Sequence, residues 1–235
     1  STRFEFDEKG EIISLTIGHN SSPSGQVNII VKAQRFIFAA GIGNERLISS
    51  AKLKKPLAQR RPLHMVYLSK PKLPDANVHI IGSSPSLNPQ LTITSHEGND
   101  GELVWYLGGE IAENGVKKSP EILVEETKFL LKKLIPWIDF SGASWNTLLI
   151  DRAEGHITDN KRPDGAICIP DGNCLVVWPT KLTLAPALGD IVIKELKSQA
   201  IAPSERLHIN KLELAQFLTS PSLAVPEWKT YEHKN

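Results

Sequence analysis

The chain has only two cysteines in 235 residues, Cys168 and Cys174. The five-residue spacer between them in CIPDGNC fits neither a zinc knuckle nor a CxxC redox pair. No disulfide scaffold is expected, and both read as free, buried thiols. Long apolar runs are missing as well. None approaches the roughly 20 residues that cross a bilayer, and Ser1 to Glu11 alternates charge with aromatics instead of resembling a signal peptide. A cytoplasmic chain without a membrane span is expected. Nor is there an excess of one charge, because 27 Lys and Arg stand against 26 Asp and Glu, mixed along the chain. With no basic stripe to track phosphates, nucleic acid is not an expected partner. Internal repeats and low-complexity segments are absent, and the length allows one large domain or two modest ones.

What is present reads mostly as short strands. Phe4 to Phe6 and Ile12 to Ile17 flank the turn Asp7-Glu8-Lys9-Gly10 and predict a hairpin. After a Ser/Pro/Gly loop from Asn20 to Gly25 come Val27 to Val31 and then Arg35 to Ala40, an apolar run of the kind buried on both faces. Leu63 to Leu68, Val78 to Ile81, Leu91 to Ser95 and Leu103 to Gly108 recur between Pro, Asn, Asp and Gly, which predicts a largely antiparallel sheet. Ser119 caps a helix with Pro120 at its first position, acids in its first turn and an apolar face of Ile122, Leu123, Leu130, Leu131 and Leu134. Thr147 to Ile150, Gly165 to Ile169 and Cys174 to Trp178 read as three more strands. Thr183 then caps a helix to about Lys197, with Leu184, Leu188, Ile191, Val192 and Leu196 inward. Asn210 with Glu213 resembles a capping pair for a short last helix, and Pro221 and Pro226 predict an extended tail.

Gly41-x-Gly43 follows an apolar strand, as phosphate-cradling turns do, but Arg46 occupies the place of a third glycine. A tight structural turn accounts for these glycines equally well.

Taken in order, the segments resemble the superfamily of D-amino-acid oxidase, glycine oxidase and glycerol-3-phosphate dehydrogenase, which are FAD-dependent oxidoreductases. Phe36 to Glu45 resembles the strand and turn that re-enter the flavin domain, and Arg61 to Val66 the entry to the substrate domain. Leu107-Gly108-Gly109-Glu110 resembles a strand end facing the active site. Thr147 to Gly165 followed by Leu182 to Gly189 resembles the segment closing on the flavin ring. The resemblance extends to about Leu196, without the GxGxxG turn that holds the ADP half of FAD in this family.

The resemblance implies a cofactor wall from Ala40, Gly41, Gly43, Asn44, Thr180, Lys181, Leu182 and Thr183. A reduced flavin carries negative charge near N1 and C2=O, which backbone N–H groups at the start of the helix near Thr183, and Lys181 beside it, would offset. A solvated side chain is the alternative for Lys181. The family's glycine-rich loop is shortened here to Trp178-Pro179-Thr180-Lys181. Arg152 lies where relatives clamp a substrate carboxylate, a task suited to a planar guanidinium; an ion pair with Asp151 or Glu154 is the alternative. His64 matches an active-site histidine of the glycerol-3-phosphate dehydrogenases, and a satisfied structural histidine is the alternative. Arg61, Lys161 and Arg162 would favour an acidic substrate.

The expected fold is α+β, a largely antiparallel mixed sheet flanked by helices with a partial FAD-binding domain. Residues 1–50 are assigned to that partial domain, 51–146 to a substrate-binding domain, 147–200 to closing strands and a helix returning to the FAD side, and 201–235 to a short helix and tail. The resemblance implies hydride transfer to flavin from a small amino acid, 2-hydroxy acid or polyol phosphate. FAD is expected in the complete protein and not in this chain alone, which would be truncated, proteolysed or naturally split. Expected partners are a small anionic substrate and the missing FAD-binding half, and a homo-oligomer is compatible with the reading. Other readings are a non-catalytic subunit docking with a separate nucleotide-binding partner, or an unrelated ligand-binding domain. No metal site is expected.

Overall fold

The computed structural model describes residues 2–19, 27–82, 88–99, 101–202 and 222–230. The fold is α+β with largely antiparallel sheets. The chain forms two units, Ser1–Arg61 with Ala153–Ser222 and Pro62–Arg152 with Leu223–Asn235. It passes from one to the other inside two long strands, β5 (Ala58–Ser69) and β9 (Ser144–Gly155).

In the first unit, β1 (Thr2–Phe6), β2 (Ile12–His19) and β3 (Val27–Val31) form an antiparallel sheet in the order β1-β2-β3. The Asp7 side chain closes the hairpin by accepting from the amides of Lys9 and Glu11. A second sheet has the order β10-β11-β4, from β4 (Phe36–Phe38), β10 (Ile167–Asp171) and β11 (Cys174–Trp178). Every residue of β11 is buried. Because successive side chains of a strand alternate faces, Cys174, Val176 and Trp178 join Phe4, Ile12, Phe36 and Phe38 in one core. Leu175 and Val177 meet Leu188 of α4 (Ala185–Ser198) in another. Asn173 fastens the hairpin to this sheet, accepting from the Ile12 amide at 3.1 Å and donating to the Ile12 carbonyl at 2.8 Å.

The second unit holds a five-stranded sheet in the order β6-β7-β8-β5-β9, with β6 (Asn77–Ile80), β7 (Leu91–Glu97) and β8 (Leu103–Gly108). Val66, Leu68, Leu91, Ile93, Trp105 and Leu107 pack with Leu123, Leu131 and Ile135, which covers this face with α3 (Pro120–Leu134). Burying each such aliphatic side chain favours folding by about 1.5–3 kcal/mol, an upper figure for an extended unfolded chain. The Ser119 hydroxyl accepts from the Ile122 amide, and Pro120 sits in the first turn, as the sequence predicts. The buried Thr127 hydroxyl is satisfied by the Leu123 carbonyl at 2.7 Å.

Several expectations need correction. β4 is buried on one face only, since Phe36 and Phe38 are buried but Ile37 is 45% exposed. Thr183 does not cap α4; it lies in a 3-10 turn, Leu182–Leu184, and α4 starts at Ala185 with no side-chain cap. Thr183 lacks the extended backbone and the free amide two or three residues on that a cap needs, because the 3-10 turn has already begun. Ile191 points outward at 40% exposure, whereas Leu188 is buried. Cys174 is buried but Cys168 only partly, and both are free. Two helices escaped the sequence reading: α1 (Asn44–Ser50) and the single turn α2 (Glu110–Asn114). Pro226 precedes a helical turn, Glu227–Thr230, instead of a wholly extended tail. The Asn20 to Gly25 loop, the Asn210 and Glu213 pair and Pro221 lie outside the described residues.

Candidate functional site

β4 and β11 are parallel neighbours, with Phe36 beside Cys174, Ile37 beside Leu175 and Phe38 beside Val176. Both strands therefore end at the same edge of their sheet. The turn Ala40 to Asn44 leaves one of these ends, and Pro179 to Ala185 leaves the other. Crevices outside the carboxyl ends of parallel strands are where open sheets bind ligands.

A single side chain ties the two exits together. Asn44 is fully buried; its Oδ1 accepts from the Ala40 amide at 2.9 Å and its Nδ2 donates to the Val177 carbonyl at 3.0 Å. Its amide is thus occupied by backbone of this chain. Gly41 opens a 3-10 turn, Gly41–Gly43, at φ +56°, with nothing within 4 Å of where a Cβ would stand. A glycine suits that left-handed conformation, and the space above it is open.

The other exit is held in an unusual backbone state. Thr180 has φ +62°, which costs a β-branched residue on the order of 1–3 kcal/mol. Its hydroxyl donates to the Gly165 carbonyl at 2.8 Å and holds the turn in place. The Lys181 amide donates to Pro179 at 2.6 Å, and the Leu184 amide to Lys181 at 2.9 Å. Because this turn closes with Leu184 and Ala185 as its donors, the amides of Leu182 and Thr183 have no acceptor inside it. Lys181, Leu182 and Thr183 are exposed, Leu182 by 88%. The edge therefore combines two N–H donors, a lysine, the positive end of α4 and an open glycine turn. Such a set fits an anionic or carbonyl-bearing planar ring.

Of the other residues predicted from the sequence, Arg61 and Glu154 pair at 2.8 Å in the first unit, where Glu154 is 2% exposed. Gln59 joins them, donating to Glu154 at 3.3 Å and to the Lys161 carbonyl at 2.7 Å. Lys161 itself lies 3.6 Å from Asp159 at the surface, and Arg162 is half-buried. Arg60 grips Glu45 of α1 through two 2.7 Å bonds, and this hydrogen bonding holds the Glu45 carboxyl below its usual range. No motif announces the Arg60–Glu45 and Arg61–Glu154 pairs, because their members lie 15 and 93 residues apart.

His64 and Arg152 belong to the second unit. His64 is buried, and its Nδ1 lies 3.1 Å from the Gly115 carbonyl just beyond α2. By strand alternation it shares a side with Val66 and Leu68 of the α3-covered core, whereas Leu63 and Met65 pack with Ala112, Tyr106 and Ile150. Arg152 donates to Glu113 of α2 at 3.1 Å, an acid that the sequence reading did not consider. At Gly109 (φ +90°) the backbone passes so close to Pro89 that a Cβ would stand 2.6 Å from its carbonyl oxygen. Among the described residues no group of three His, Cys, Asp or Glu side chains could hold a metal ion. No helix among them is long and apolar enough to cross a membrane.

No protein-family model matches the chain. It is 42% identical over 200 residues, 85% of its length, to a Pseudomonas aeruginosa protein named "Probable FAD-dependent oxidoreductase PA4991". The crystal structure of that FAD-dependent oxidoreductase superposes on 97% of the chain with a TM-score of 0.79 and 37% identity. The chain spans 49% of the length of that relative and 58% of the chain in its crystal structure. L-proline dehydrogenase from P. horikoshii aligns with a TM-score of 0.47 and 15% identity over 85% of this chain and 49% of that one, too remote to carry an argument. The similarity to FAD-dependent oxidoreductases expected from the sequence is borne out.

Proposed function

We propose that this chain is the substrate-side portion of an FAD-dependent oxidoreductase, and that the edge formed by Ala40 to Asn44 and Thr180 to Thr183 is its wall for the isoalloxazine ring. The meeting of these two exits at the ends of parallel β4 and β11, tied by Asn44, carries the reading. The similarity to PA4991 over most of the chain supports it. When bound, FAD supplies the hydride acceptor, which no protein side chain can provide.

The chain's own residues then have separable tasks. Leu182 and Thr183 amides with Lys181 offset negative charge on the ring. Gly41 leaves room for it, and Thr180 and Asn44 hold the turns without touching it. Arg152, freed from Glu113, clamps the carboxylate or phosphate of a small amino acid, 2-hydroxy acid or polyol phosphate. His64, buried against the Gly115 carbonyl, positions the start of the substrate region instead of meeting substrate.

The test joins this chain to the part of PA4991 that it does not span. The joined protein is expected to purify yellow with stoichiometric FAD, and the chain alone to be colourless, because its sequence contains no GxGxxG turn. Lys181→Ala in the joined protein lowers the flavin reduction potential by removing a positive charge. A folded but colourless joined protein overturns the assignment.

A further inference from the structure

From the outer face of α3 we infer that this chain pairs with a second copy of itself through an antiparallel α3–α3 contact. The inference is independent of the flavin reading. The inner face of α3 is spent on the core through Leu123, Thr127 and Leu131. Its outer face carries charged residues, as a solvated helix face does, but large apolar side chains stand among them. Ile122 is 54% exposed, Phe129 73%, and Trp137, three residues past the helix, 76%. Ile122 and Phe129 are large apolar side chains open to solvent on one helix face, the kind of exposure that interaction sites show.

The charges around Phe129 identify the occupant. At 3.6 residues per turn, Ile122, Glu125, Glu126, Phe129, Lys132 and Lys133 all lie within about 60° of one another's mean direction, with Ile122 and Phe129 stacked two turns apart. Glu125 and Lys132 flank the stripe on one side, and Glu126 and Lys133 flank it on the other. Both pairs have the acid seven residues before the base, and both are centred on Phe129 within half a residue. A two-fold axis through Phe129, perpendicular to the helix, therefore sets Glu125 against Lys132 of the partner subunit and Glu126 against the partner's Lys133. The same operation brings the two Phe129 rings together. This is the self-complementarity of an isologous interface, an apolar seam flanked by four opposite-charge pairs. A parallel arrangement would oppose like charges, and a neutral or uniformly basic partner would satisfy only half of the set.

Within one copy, Glu125 pairs with Lys128 at 2.7 Å and Glu126 with Lys118. These are surface pairs, worth little alone and readily exchanged. Lys132 and Lys133 are exposed.

Sedimentation velocity of the chain from about 1 to 100 µM, the range of small transient interfaces, tests the pairing. The 25.9 kDa chain is expected to move toward twice that mass with rising concentration. Phe129→Lys should weaken dimerisation at least about tenfold, since the central aromatic carries most of a small interface. The double variants Glu125→Lys/Glu126→Lys and Lys132→Glu/Lys133→Glu should each be monomeric, and their equimolar mixture dimeric. These positions lie at the surface, Glu126 half-buried and the others exposed, so the thermal midpoint should change little, and a matching midpoint certifies each variant as folded. A wild-type chain monomeric at 100 µM overturns the inference, as does a dimer indifferent to Phe129→Lys or a mixture of the two doubles that stays monomeric. Binding of the monomer to anionic vesicles would assign the patch to a lipid surface and likewise overturn it.

Discussion

Asn44 and Val177, 133 residues apart, are joined by a 3.0 Å hydrogen bond from the side-chain amide to the backbone carbonyl, with Asn44 wholly shielded from solvent. Two stretches distant along the chain share one sheet edge because β4 lies parallel to β11, and this bond, with its counterpart to Ala40, fixes the turn that follows. Asn44→Ala is expected to cost about 2–4 kcal/mol, since it takes the side-chain partner from the buried Val177 carbonyl and from the partly buried Ala40 amide. Asn44→Asp should also destabilise, because its oxygen would face the Val177 carbonyl. Urea unfolding midpoints check both, and a loss under about 0.5 kcal/mol would mean that the tie is incidental.

The Arg61–Glu154 pair makes a different prediction. Glu154 is 2% exposed and Arg61 17%, so Arg61→Leu leaves a carboxylate stranded and should cost about 3–5 kcal/mol. Arg61→Leu with Glu154→Leu should recover much of that loss. A double-mutant cycle in urea measures the coupling, and additive effects would show that the two residues act separately.

Asp139 sets an acid-side dependence. Its carboxyl is held at about 2, below the usual 3.8, first by the Ser141 hydroxyl, then by the Ser141 amide and by Lys70. Because the folded value is depressed, its contribution is complete above about pH 4 and fades as pH falls toward 2. Asp139→Asn should therefore differ from wild type at pH 5 and converge with it near pH 2. The side chain is 75% exposed, so salt should weaken the effect. A carboxyl NMR titration with an ordinary midpoint would contradict the assignment.

Thiol chemistry separates the two cysteines. Burial, followed by Asp171 and Glu11, pushes the Cys174 thiol up to about 11, and burial with Glu195 raises Cys168 less. At pH 8 a disulfide reagent should label Cys168 slowly and Cys174 only after unfolding. Rapid modification of two thiols in the native chain would refute this.

Arg152 offers the substrate test. In the joined flavoprotein, Arg152→Ala should raise KM for an anionic substrate at least about tenfold, with a smaller change in kcat, as expected from losing a charge-assisted contact. An unchanged KM takes Arg152 out of the site.

Local chemistry made part of this readable in advance. Ser119 and Pro120 announce α3, Asp7 to Gly10 the first hairpin, and Cys174 to Trp178 a strand. The resemblance implied that these two stretches converge, and β4 and β11 lie side by side and parallel. Thr183 misled because a side chain able to cap a helix is not obliged to: the chain had already turned at Leu182. Ile37 and Ile191 misled because periodicity reports which residues are apolar, not which faces are covered. The bonds of Arg152 to Glu113 and of Arg61 to Glu154 span 39 and 93 residues. No local rule selects one acid among 26 at such a distance.

The parallel placement of β4 beside β11 imposes an order on biosynthesis. Phe36 to Phe38 emerge from the ribosome on the order of ten seconds before Cys174 to Trp178, at roughly 5–20 residues per second. During that interval the nascent β4 has no neighbour on the side that β11 will fill, while the sheet built from β5 to β9 can close completely. Translation thus lets the sheet of β5 to β9 close first and makes β4 wait for β11, an interval in which a chaperone would find Phe36 and Phe38 uncovered.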